Sequence, residues 1–526
     1  MKMGSSIVTP SYLNQISSEV VMKKIAKRSL AMLLALITLF SCVGVSASAA
    51  TTGYEATRIT CTMNGNAKTR RGFTWYTKKS CDTAIQVVTK AEYNANGFSK
   101  AKTIKGETFE WQGYYGHKVV VKNLKAGTTY KYRVGTADKK QWSSVGTFVT
   151  DNGDNKFSFI AIADVQASSL ENFKEAAIVM NKAMSKVPNA EFVVNLGDFV
   201  NDCTNEEWNW YGQAFKKANT NLTLVPVAGN HEGNITNKLN VGWFANMFNL
   251  NPGEGELNNV NGVYYSFDYG DVHFTVLNSN DMYPMTEAQR NWVYNDLTKT
   301  KAQWKVLLLH RAAYSAGKNI NKPDTLVMRK TIIEIVDDTG VDLVLSGHDH
   351  MYFRTHPVKD DKVCKDTLYV TEKYKGVDTT FAVNPEGAIY ALPSTAGTKR
   401  YGVNDGTIKD VMDAADACFT TRSEKTKAGK ETNPNAGGCF AQVDVDGDRL
   451  IYKAYVVNDD TKEVKLVDKF AIKKNVADKD IADTKLPTDI IGSLDGSVAN
   501  LLTELAGVIV TYIGKLLPQF VVGLFK

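Results

Sequence analysis

Five short polar blocks in the sequence contain residue types that together could hold metal ions. Each block directly follows an apolar run that is short enough to be a buried strand. The blocks are Asp164-Val165-Gln166, Gly197-Asp198, Gly229-Asn230-His231-Glu232, a lone His310, and Gly347-His348-Asp349-His350. In an α/β sheet such blocks lie on loops at strand ends, where side chains from distant parts of the chain meet. The blocks therefore predict one shared site.

The residue types in these blocks suit a two-metal centre. Carboxylate oxygen binds hard ions, and imidazole extends the choice to Zn, Fe and Mn. Two such ions about 3.5–4 Å apart can clamp a phosphate group and acidify a water between them. The chain has seven histidines, and four of them lie in the blocks: His231, His310, His348 and His350. A single histidine is more often a core or capping residue, but this concentration favours metal binding.

The elements around the blocks predict an α/β domain over residues 155–475. Short apolar runs predict buried strands, and helical spacing predicts helices between them. The predicted strands are 157–163, 192–196, 222–227, 305–309 and 341–345, and the predicted helices are 170–187, 287–297 and 326–336. A hairpin is predicted over 264–277, a loop-rich region with one strand at 389–392 over 358–440, and a closing β meander over 440–472. This pattern predicts mixed sheets flanked by helices.

Residues 51–150 predict a separate all-β domain. Alternating segments such as 118–121 and 128–134 are separated by glycine and polar turns. This is typical of a small antiparallel sandwich of the immunoglobulin or fibronectin type.

The N-terminus predicts an exported protein. A basic stretch from Met22 to Arg28 precedes an apolar run from Leu30 to Val45 and then Ala47-Ser48-Ala49. This is the pattern of a signal peptide over residues 1–50, with translation starting at Met22, and a membrane anchor is the alternative. The protein is thus expected to be secreted or associated with the cell surface.

Six cysteines remain after the predicted signal: Cys61, Cys81, Cys203, Cys364, Cys418 and Cys439. An even number in an exported protein favours disulfides, and the nearest pairs are Cys61 with Cys81 and Cys418 with Cys439. Free buried thiols are the alternative.

The C-terminal residues differ from the rest of the chain. Residues 476–497 are typical of a linker, and apolar residues recur at helical spacing over 498–526. Such a helix could lie on a membrane, dock on a partner or pack on its own protein. Glu504, Lys515 and Pro518 argue against a membrane-spanning helix.

The order of the five blocks resembles the calcineurin-like metallophosphoesterase superfamily. The preceding segment 119–135, with Trp142-Ser143, is similar to the N-terminal domain of purple acid phosphatases, which implies that branch. The resemblance implies a four-layer core and an exported binuclear enzyme that hydrolyses phosphate mono- or diesters through a metal-bound hydroxide. Its substrates would be phosphorylated small molecules or polymers. The net charge of +6 is modest and interleaved, so no specific nucleic-acid binding is expected.

The same resemblance implies a role for each residue in the blocks. Six metal ligands are implied: Asp164, Asp198, Asn230, His310, His348 and His350. Asp198 would bridge both ions, with Asp164 and His350 completing one site and the other three ligands the second. His231, oriented by Glu232, would act with Asp198 in catalysis. Substrate contacts would come from Asn230, His231 and Arg311.

Two positions depart from the family pattern. Purple acid phosphatases place a Tyr three residues after the bridging Asp, where its phenolate binds ferric iron and gives the colour, but this chain has Asn201. The wider superfamily places a His two residues after the first Asp, but this chain has Gln166. Gln166 could bind a metal through its amide oxygen or only hydrogen-bond a metal-bound water. Two ions of Fe, Zn or Mn are therefore expected, without a tyrosinate–iron site.

Some alternatives stay open at this point. Lys399 and Arg400 could contact substrate phosphate or be ordinary surface charges. A non-catalytic surface protein with a degenerate metal site is a second function, although the retained His231 argues against it. A serine hydrolase is disfavoured because the chain has no Gly-x-Ser-x-Gly elbow.

Overall fold

The computed structural model describes residues 52–233, 242–253, 263–427, 429 and 431–475. The predicted signal peptide, linker and C-terminal helix lie outside these residues. Within them, no helix has the length and apolar character needed to cross a membrane.

The N-terminal part is a β-sandwich, as the alternating pattern predicts. Its elements are β1 (Thr57–Thr62), β2 (Arg71–Thr77), β3 (Ala84–Thr89), α1 (Lys90–Asn96), β4 (Lys102–Lys105), β5 (Glu107–Trp111), β6 (Tyr114–Val121), β7 (Thr129–Thr136), β8 (Gln141–Trp142) and β9 (Gly146–Val149). One layer has the order β1-β2-β6-β5, and the other has β4-β3-β7-β8 with β9 on β7. Inward-facing rings fill the space between the layers, where Phe73 lies 4.8 Å from Tyr132 and 5.7 Å from Phe148.

The first half of the following core alternates strands and helices, as predicted. Its elements are β10 (Lys156–Ile162), α2 (Leu170–Lys186), β11 (Ala190–Asn195), α3 (Asn205–Ala214), α4 (Lys216–Asn221), β12 (Thr223–Pro226), α5 (Asn230–Gly233), α6 (Trp243–Met247), β13 (Tyr265–Tyr269), β14 (Val272–Val276), α7 (Glu287–Lys299), β15 (Trp304–Arg311), α8 (Pro323–Thr339) and β16 (Leu343–Gly347). Each predicted strand and helix of this region is present, with ends that differ by a few residues.

The second half is richer in strands than its sequence predicts. Its elements are β17 (Tyr352–Thr355), β18 (Val358–Lys359), β19 (Lys362–Val363), β20 (Leu368–Tyr374), β21 (Val377–Val383), β22 (Ile389–Pro393), α9 (Lys409–Asp413), β23 (Ala415–Phe419), β24 (Gly437–Asp446), β25 (Arg449–Asn458) and β26 (Val464–Lys473). The hairpin of β20 and β21 was not predicted, because β20 is an exposed edge strand with little apolar signal.

Two sheets and their helices make the four-layer core. The first sheet runs β20-β21-β26-β25-β24-β10-β11-β12, and the second runs β13-β14-β15-β16-β22-β17-β23. The sheets pack face to face through aromatic side chains such as Phe192 and Phe274, whose ring centroids are 5.6 Å apart. Helices α2 and α3 cover the outer face of the first sheet, and α7 and α8 cover that of the second. The predicted fold class is confirmed.

The first sheet continues directly into the N-terminal sandwich. Strand β1 pairs in parallel with β12 at Thr62 and Leu224, which makes one sheet of twelve strands. The side chain of Asn249 donates to the carbonyls of Phe73 at 3.2 Å and Val119 at 3.0 Å. The sandwich and the core are therefore joined by backbone pairing as well as by sequence.

The two predicted disulfides do not form in the structure, where all six cysteines are free. Cys61 lies on β1 and is buried in the sandwich interior, whereas Cys81 lies in the loop after β2 and contacts His117. Cys418 lies on β23 of the second sheet, and Cys439 lies on β24 of the first. Proximity in sequence did not indicate proximity in space.

Candidate metal centre

The five polar blocks meet where the two sheets present the carboxyl ends of their parallel strands. Strands β10, β11 and β12 are adjacent and parallel in the first sheet, and β15 and β16 are adjacent and parallel in the second. Asp164, Asp198 and Asn230 follow the first three strands, while His310 ends β15 and His348 follows β16. Each side chain is thus carried by a strand that is fixed in the core.

Tight backbone turns aim the two aspartates into the centre. Asp164 and Asp198 have φ angles of 54° and 55°, in the left-handed region that few residues other than glycine adopt. Gly229 makes room for this turn, because a Cβ at that position would lie 2.1 Å from Oδ1 of Asp198. A glycine is required there by close packing.

The structure brings the predicted ligands into two groups that share one carboxylate. Asp198, His310 and His348 form one group, and Asp164, Asp198 and His350 form the other. Within each group one ligand atom per residue lies within 4.8 Å of the others. A shared carboxylate between two donor groups is the arrangement that two neighbouring cations need.

His310 is held with one ring nitrogen facing the shared carboxylate. Its Nδ1 lies 2.7 Å from the carbonyl oxygen of Leu196, which can only accept, so Nδ1 carries the proton. Its Nε2 lies 3.2 Å from Oδ2 of Asp198 and 3.1 Å from Oδ1 of Asn230. Burial lowers the pKa of His310, but the Asp198 carboxylate outweighs burial and raises it to about 9. The oxygens of Asp198 and Asn230 therefore favour a positive charge next to Nε2 of His310.

His350 repeats this arrangement in the second group. Its Nδ1 lies 2.5 Å from the carbonyl oxygen of Lys399, and its Nε2 lies 3.3 Å from Oδ1 of Asp164. An imidazole whose other nitrogen donates to a carbonyl is oriented as a metal ligand. The donor set and its orientation fit two metal ions.

His348 completes the first group as a neutral imidazole. Its backbone amide donates to both carboxylate oxygens of Asp164 at 3.0 Å, which fixes the start of the loop. Burial lowers the pKa of His348 well below its usual value, and the nearby charges of His310 and Arg311 lower it further. A neutral ring keeps a lone pair for a cation.

His231 lies at the solvent side of the centre. Its Nε2 is 3.8 Å from Oδ2 of Asp198, and 26% of its side chain is exposed. Its Nδ1 lies within hydrogen-bonding distance of the carbonyl oxygen of Asn201, which orients the ring. The ring can therefore reach both the centre and a molecule that approaches from solvent.

Glu232 does not orient His231, contrary to the expectation from the sequence. It is fully buried, and its carboxylate accepts the backbone amides of Asp198 at 2.9 Å, Gly229 at 3.0 Å and Val200 at 3.2 Å. Its role is to hold the loops that carry Asp198 and Asn230.

The two departures from the family pattern behave differently. The buried amide of Gln166 points into the centre, with Nε2 3.3 Å from Oδ2 of Asp198 and 3.0 Å from Nε2 of His350. Its Oε1 is buried and has no hydrogen-bond partner among the described residues. The side chain of Asn201 instead turns away and donates to Asp202 at 2.9 Å.

Arg311 already forms an ion pair with an acidic side chain. Its guanidinium pairs with Asp324 at 3.0 Å, and 22% of its side chain is exposed. The predicted substrate contact of Arg311 would have to compete with this ion pair.

Two residues to which the sequence assigned no role also support the centre. Asp349 is buried and accepts from the side chain of Asn319 at 2.7 Å, and a Cβ on Gly317 would lie only 2.4 Å from its carboxylate carbon. Tyr401 stacks on His350 with ring centroids 4.5 Å apart and planes 17° apart. Asp349 lies inside a recognised block, which is a usable signal, whereas Tyr401 has none.

Two family models match the chain across these same elements. Residues 157–352 match the calcineurin-like phosphoesterase model, and residues 56–150 match the purple acid phosphatase N-terminal domain. Residues 157–352 therefore form a calcineurin-like phosphoesterase domain, and residues 56–150 form a purple acid phosphatase N-terminal domain. Domains of the first kind are phosphoester hydrolases that use divalent metal ions, and the pair of domains is the one that the sequence predicts.

Curated proteins support the same family assignment. Acid phosphatase type 7 of Danio rerio is 22% identical over 379 residues, which is 65% of this chain and 78% of that protein. Purple acid phosphatase 15 of Arabidopsis thaliana is 23% identical over 274 residues, or 46% of this chain, and the match spans half of that protein (50%).

Solved structures with the same fold also match the chain. The purple acid phosphatase PPD1 of yellow lupin (Lupinus luteus) has a TM-score of 0.58 at 15% identity, covering 83% of this chain and 77% of that one. A structure of PhoD has a TM-score of 0.56 at 13% identity, and the match covers 81% of this chain and 91% of the PhoD chain. At these identities the likeness concerns the fold alone.

Proposed function

We propose that this protein is an exported, binuclear metal-dependent phosphoesterase that hydrolyses phosphate mono- or diesters. The observation that carries the proposal is the pair of donor groups that share Asp198. A site with one shared carboxylate and separate imidazoles on each side is suited to two cations, and two cations suit a phosphate group.

The two groups divide the ligands between the ions. Asp164, Asp198 and His350 would hold one ion, and Asp198, Asn230, His310 and His348 the other. When bound, the ions neutralise phosphoryl oxygens and lower the pKa of water. Mixed imidazole and carboxylate donors suit Fe, Zn or Mn.

His231 would be the catalytic group that the chain itself supplies. The carbonyl of Asn201 holds Nδ1, so Nε2, which faces Asp198, is the atom that would act on a substrate. From the solvent side it can donate a hydrogen bond to a phosphoryl oxygen or a proton to the leaving oxygen. This placement favours an enzyme over a surface protein with a degenerate site, because a structural metal site needs no such group.

Gln166 would complete the ion position held by Asp164 and His350. Rotation of its amide by half a turn would aim Oε1 at the space between Asp198 and His350, and such amide orientations are exchangeable assignments. The unpartnered Oε1 supports this reading. Because Asn201 replaces the family tyrosine, iron-loaded protein should lack the purple tyrosinate absorption.

Export is supported by the N-terminal pattern alone. The basic stretch, the apolar run and Ala47-Ser48-Ala49 would direct secretion and cleavage near Ala49 or Ala50. Mass spectrometry of protein from the culture medium should find a mature N-terminus at residue 50 or 51. Residues 498–526 could then contact a membrane or partner.

Metal analysis combined with turnover tests the proposed activity. The purified protein should bind two equivalents of metal and hydrolyse p-nitrophenyl phosphate or its bis ester. Asp198→Asn should lose metal and activity together, whereas His231→Asn should keep the metal and lose about 100-fold in kcat. His356→Asn is the matched control, since His356 lies away from the centre beside Asp416. Metal binding of one equivalent or less with no turnover would refute the proposal.

A further inference from the structure

Three lysines beside the metal centre form a positive cluster. They are Lys318, Lys322 and Lys399, and all three are exposed. Burial lowers the pKa of Lys318, and the positive charges of Lys399 and Lys322 lower it further. In the described part of the chain none of them forms an ion pair with an acidic side chain.

Neighbouring arginines differ from this cluster because their charges are compensated. Arg400 pairs with Asp459, and Arg311 pairs with Asp324 at 3.0 Å. The charge of Asp349 raises the pKa of Lys318, but that carboxylate already accepts a hydrogen bond from Asn319. The lysine cluster is thus a region of uncompensated positive charge at a site that handles anions.

Tyr401 connects the lysine cluster to the metal centre. One face of its ring stacks on His350, and Nζ of Lys318 lies 4.2 Å from its ring centroid. The ammonium group therefore lies at most about 9 Å from the ring of His350, given the 4.5 Å between the two ring centroids. That span can be bridged by a substrate with two phosphate groups.

The loops that carry these residues are fixed to the ligand block. Asp349 accepts from the backbone amide of Asn319 at 3.3 Å as well as from its side chain, which anchors the turn of Lys318. The carbonyl of Lys399 accepts from His350 at 2.5 Å, and the amide of Tyr401 donates to the His350 carbonyl at 3.1 Å. The positions of both loops are therefore set by the metal centre itself.

We propose that Lys318 and Lys399, with Tyr401, form a subsite for a second phosphate group of the substrate. This inference rests on the proposed phosphoesterase function and narrows its substrate class to bisphosphorylated compounds, in preference to compounds with a single phosphate. One phosphate occupies the metal centre, and the ammonium groups contact the other by charge-assisted hydrogen bonds. Lys322 strengthens the local positive potential.

A matched substrate pair tests this subsite. Phosphate release from fructose 1,6-bisphosphate and from fructose 6-phosphate gives a ratio of kcat/KM values, which should exceed one in the wild type. Lys318→Ala and Lys399→Ala should each lower this ratio about twofold to fivefold, as expected for exposed charge contacts. The wild-type ratio should also fall as ionic strength rises.

A control variant and the pattern of results distinguish a failure of the subsite proposal from a failure of the proposed phosphoesterase function. Lys373→Ala removes the same charge from the edge strand β20, where Lys373 pairs with Asp378, and should keep the wild-type ratio. A ratio that is the same in the wild type, Lys318→Ala and Lys399→Ala would overturn the subsite, even with full activity. Absence of turnover of both sugars and of p-nitrophenyl phosphate by metal-loaded protein would instead overturn the phosphoesterase function.

Discussion

The carboxylate of Glu232 holds the backbone of Asp198 in its left-handed turn, accepting its amide at 2.9 Å. The same carboxylate accepts the amides of Gly229 and Val200. Three buried amides on two loops therefore depend on a single side chain. Glu232 therefore positions the shared carboxylate of Asp198, although its own oxygens bond to backbone amides.

Glu232→Ala should destabilise the protein and empty the metal centre together. Three buried amides would lose their acceptor, and the free energy of unfolding should fall by about 3–5 kcal/mol. Urea unfolding and metal content of the same sample measure both effects. Glu175→Ala, which removes an exposed carboxylate paired with Lys462, is the control and should change neither. Full metal content in Glu232→Ala would contradict the positioning role.

Much of the site could be predicted because its residues follow strands with clear apolar patterns. Asp164, Asp198 and His310 each come directly after or at the end of such a strand, and parallel strands bring their ends to one edge. The helix α2 was predicted over 170–187 and is found at Leu170–Lys186. Local patterns thus determine the elements and the sheet edge at which they meet.

What could not be predicted depends on contacts between distant residues. Nothing near Thr62 indicates that β1 pairs with β12, and nothing near Tyr401 indicates that it stacks on His350. Glu232 looks like a partner of the adjacent His231 in sequence, but the turn directs its side chain to backbone amides. These features follow from tertiary packing, which a single sequence does not encode in a local pattern.

Substitutions at Gln166 should change metal affinity in opposite directions. Gln166→His supplies an imidazole in place of a weaker amide ligand and should bind Mn²⁺ more tightly, whereas Gln166→Ala should weaken one of the two sites by at least about tenfold. Calorimetric titration of metal-free protein with Mn²⁺ measures the affinity of both sites. Asn201→Ala is the control, because that side chain turns toward Asp202. Equal affinities in wild type and Gln166→Ala would show that Gln166 is not a ligand.

Arg71 joins the sandwich to the core, so its loss should destabilise both. It is fully buried, and it donates to Thr223 at 3.1 Å, to the carbonyl of Ala67 at 2.7 Å and to that of Val149 at 2.6 Å. Arg71→Ala would leave buried acceptors unpaired, at a cost of about 3–5 kcal/mol.

Calorimetry should show the Arg71→Ala protein unfolding in one transition at a lower temperature, because the twelve-stranded sheet is shared. Arg133→Ala, on the sandwich strand β7 and bonded to Gln86, should cost less than about 1 kcal/mol. Two separate transitions, with only one of them shifted, would show that the sandwich and the core unfold independently.

His273 should make stability depend on pH in the alkaline range. Its Nδ1 lies 2.7 Å from Asp268 and its Nε2 lies 2.9 Å from Asp296. Burial lowers the pKa of His273, but the hydrogen bonds to both carboxylates outweigh burial and raise it to about 9. Because the folded-state pKa exceeds the unfolded value of about 6.5, the stabilisation is complete below pH 6.5 and is lost as pH rises through 9.

His273→Gln should therefore lower the free energy of unfolding by about 1–2 kcal/mol at pH 6, a figure reduced for the solvent exposure of Asp268. The difference from the wild type should shrink above pH 9, because the wild type then loses the same charge. Urea unfolding of both proteins at pH 6, 7.5 and 9.5 measures this difference in the free energy of unfolding. His356→Gln is the control for a partly exposed histidine. A difference that stays constant over this range would mean that His273 stabilises the sheet by packing and neutral hydrogen bonds, not by its charge.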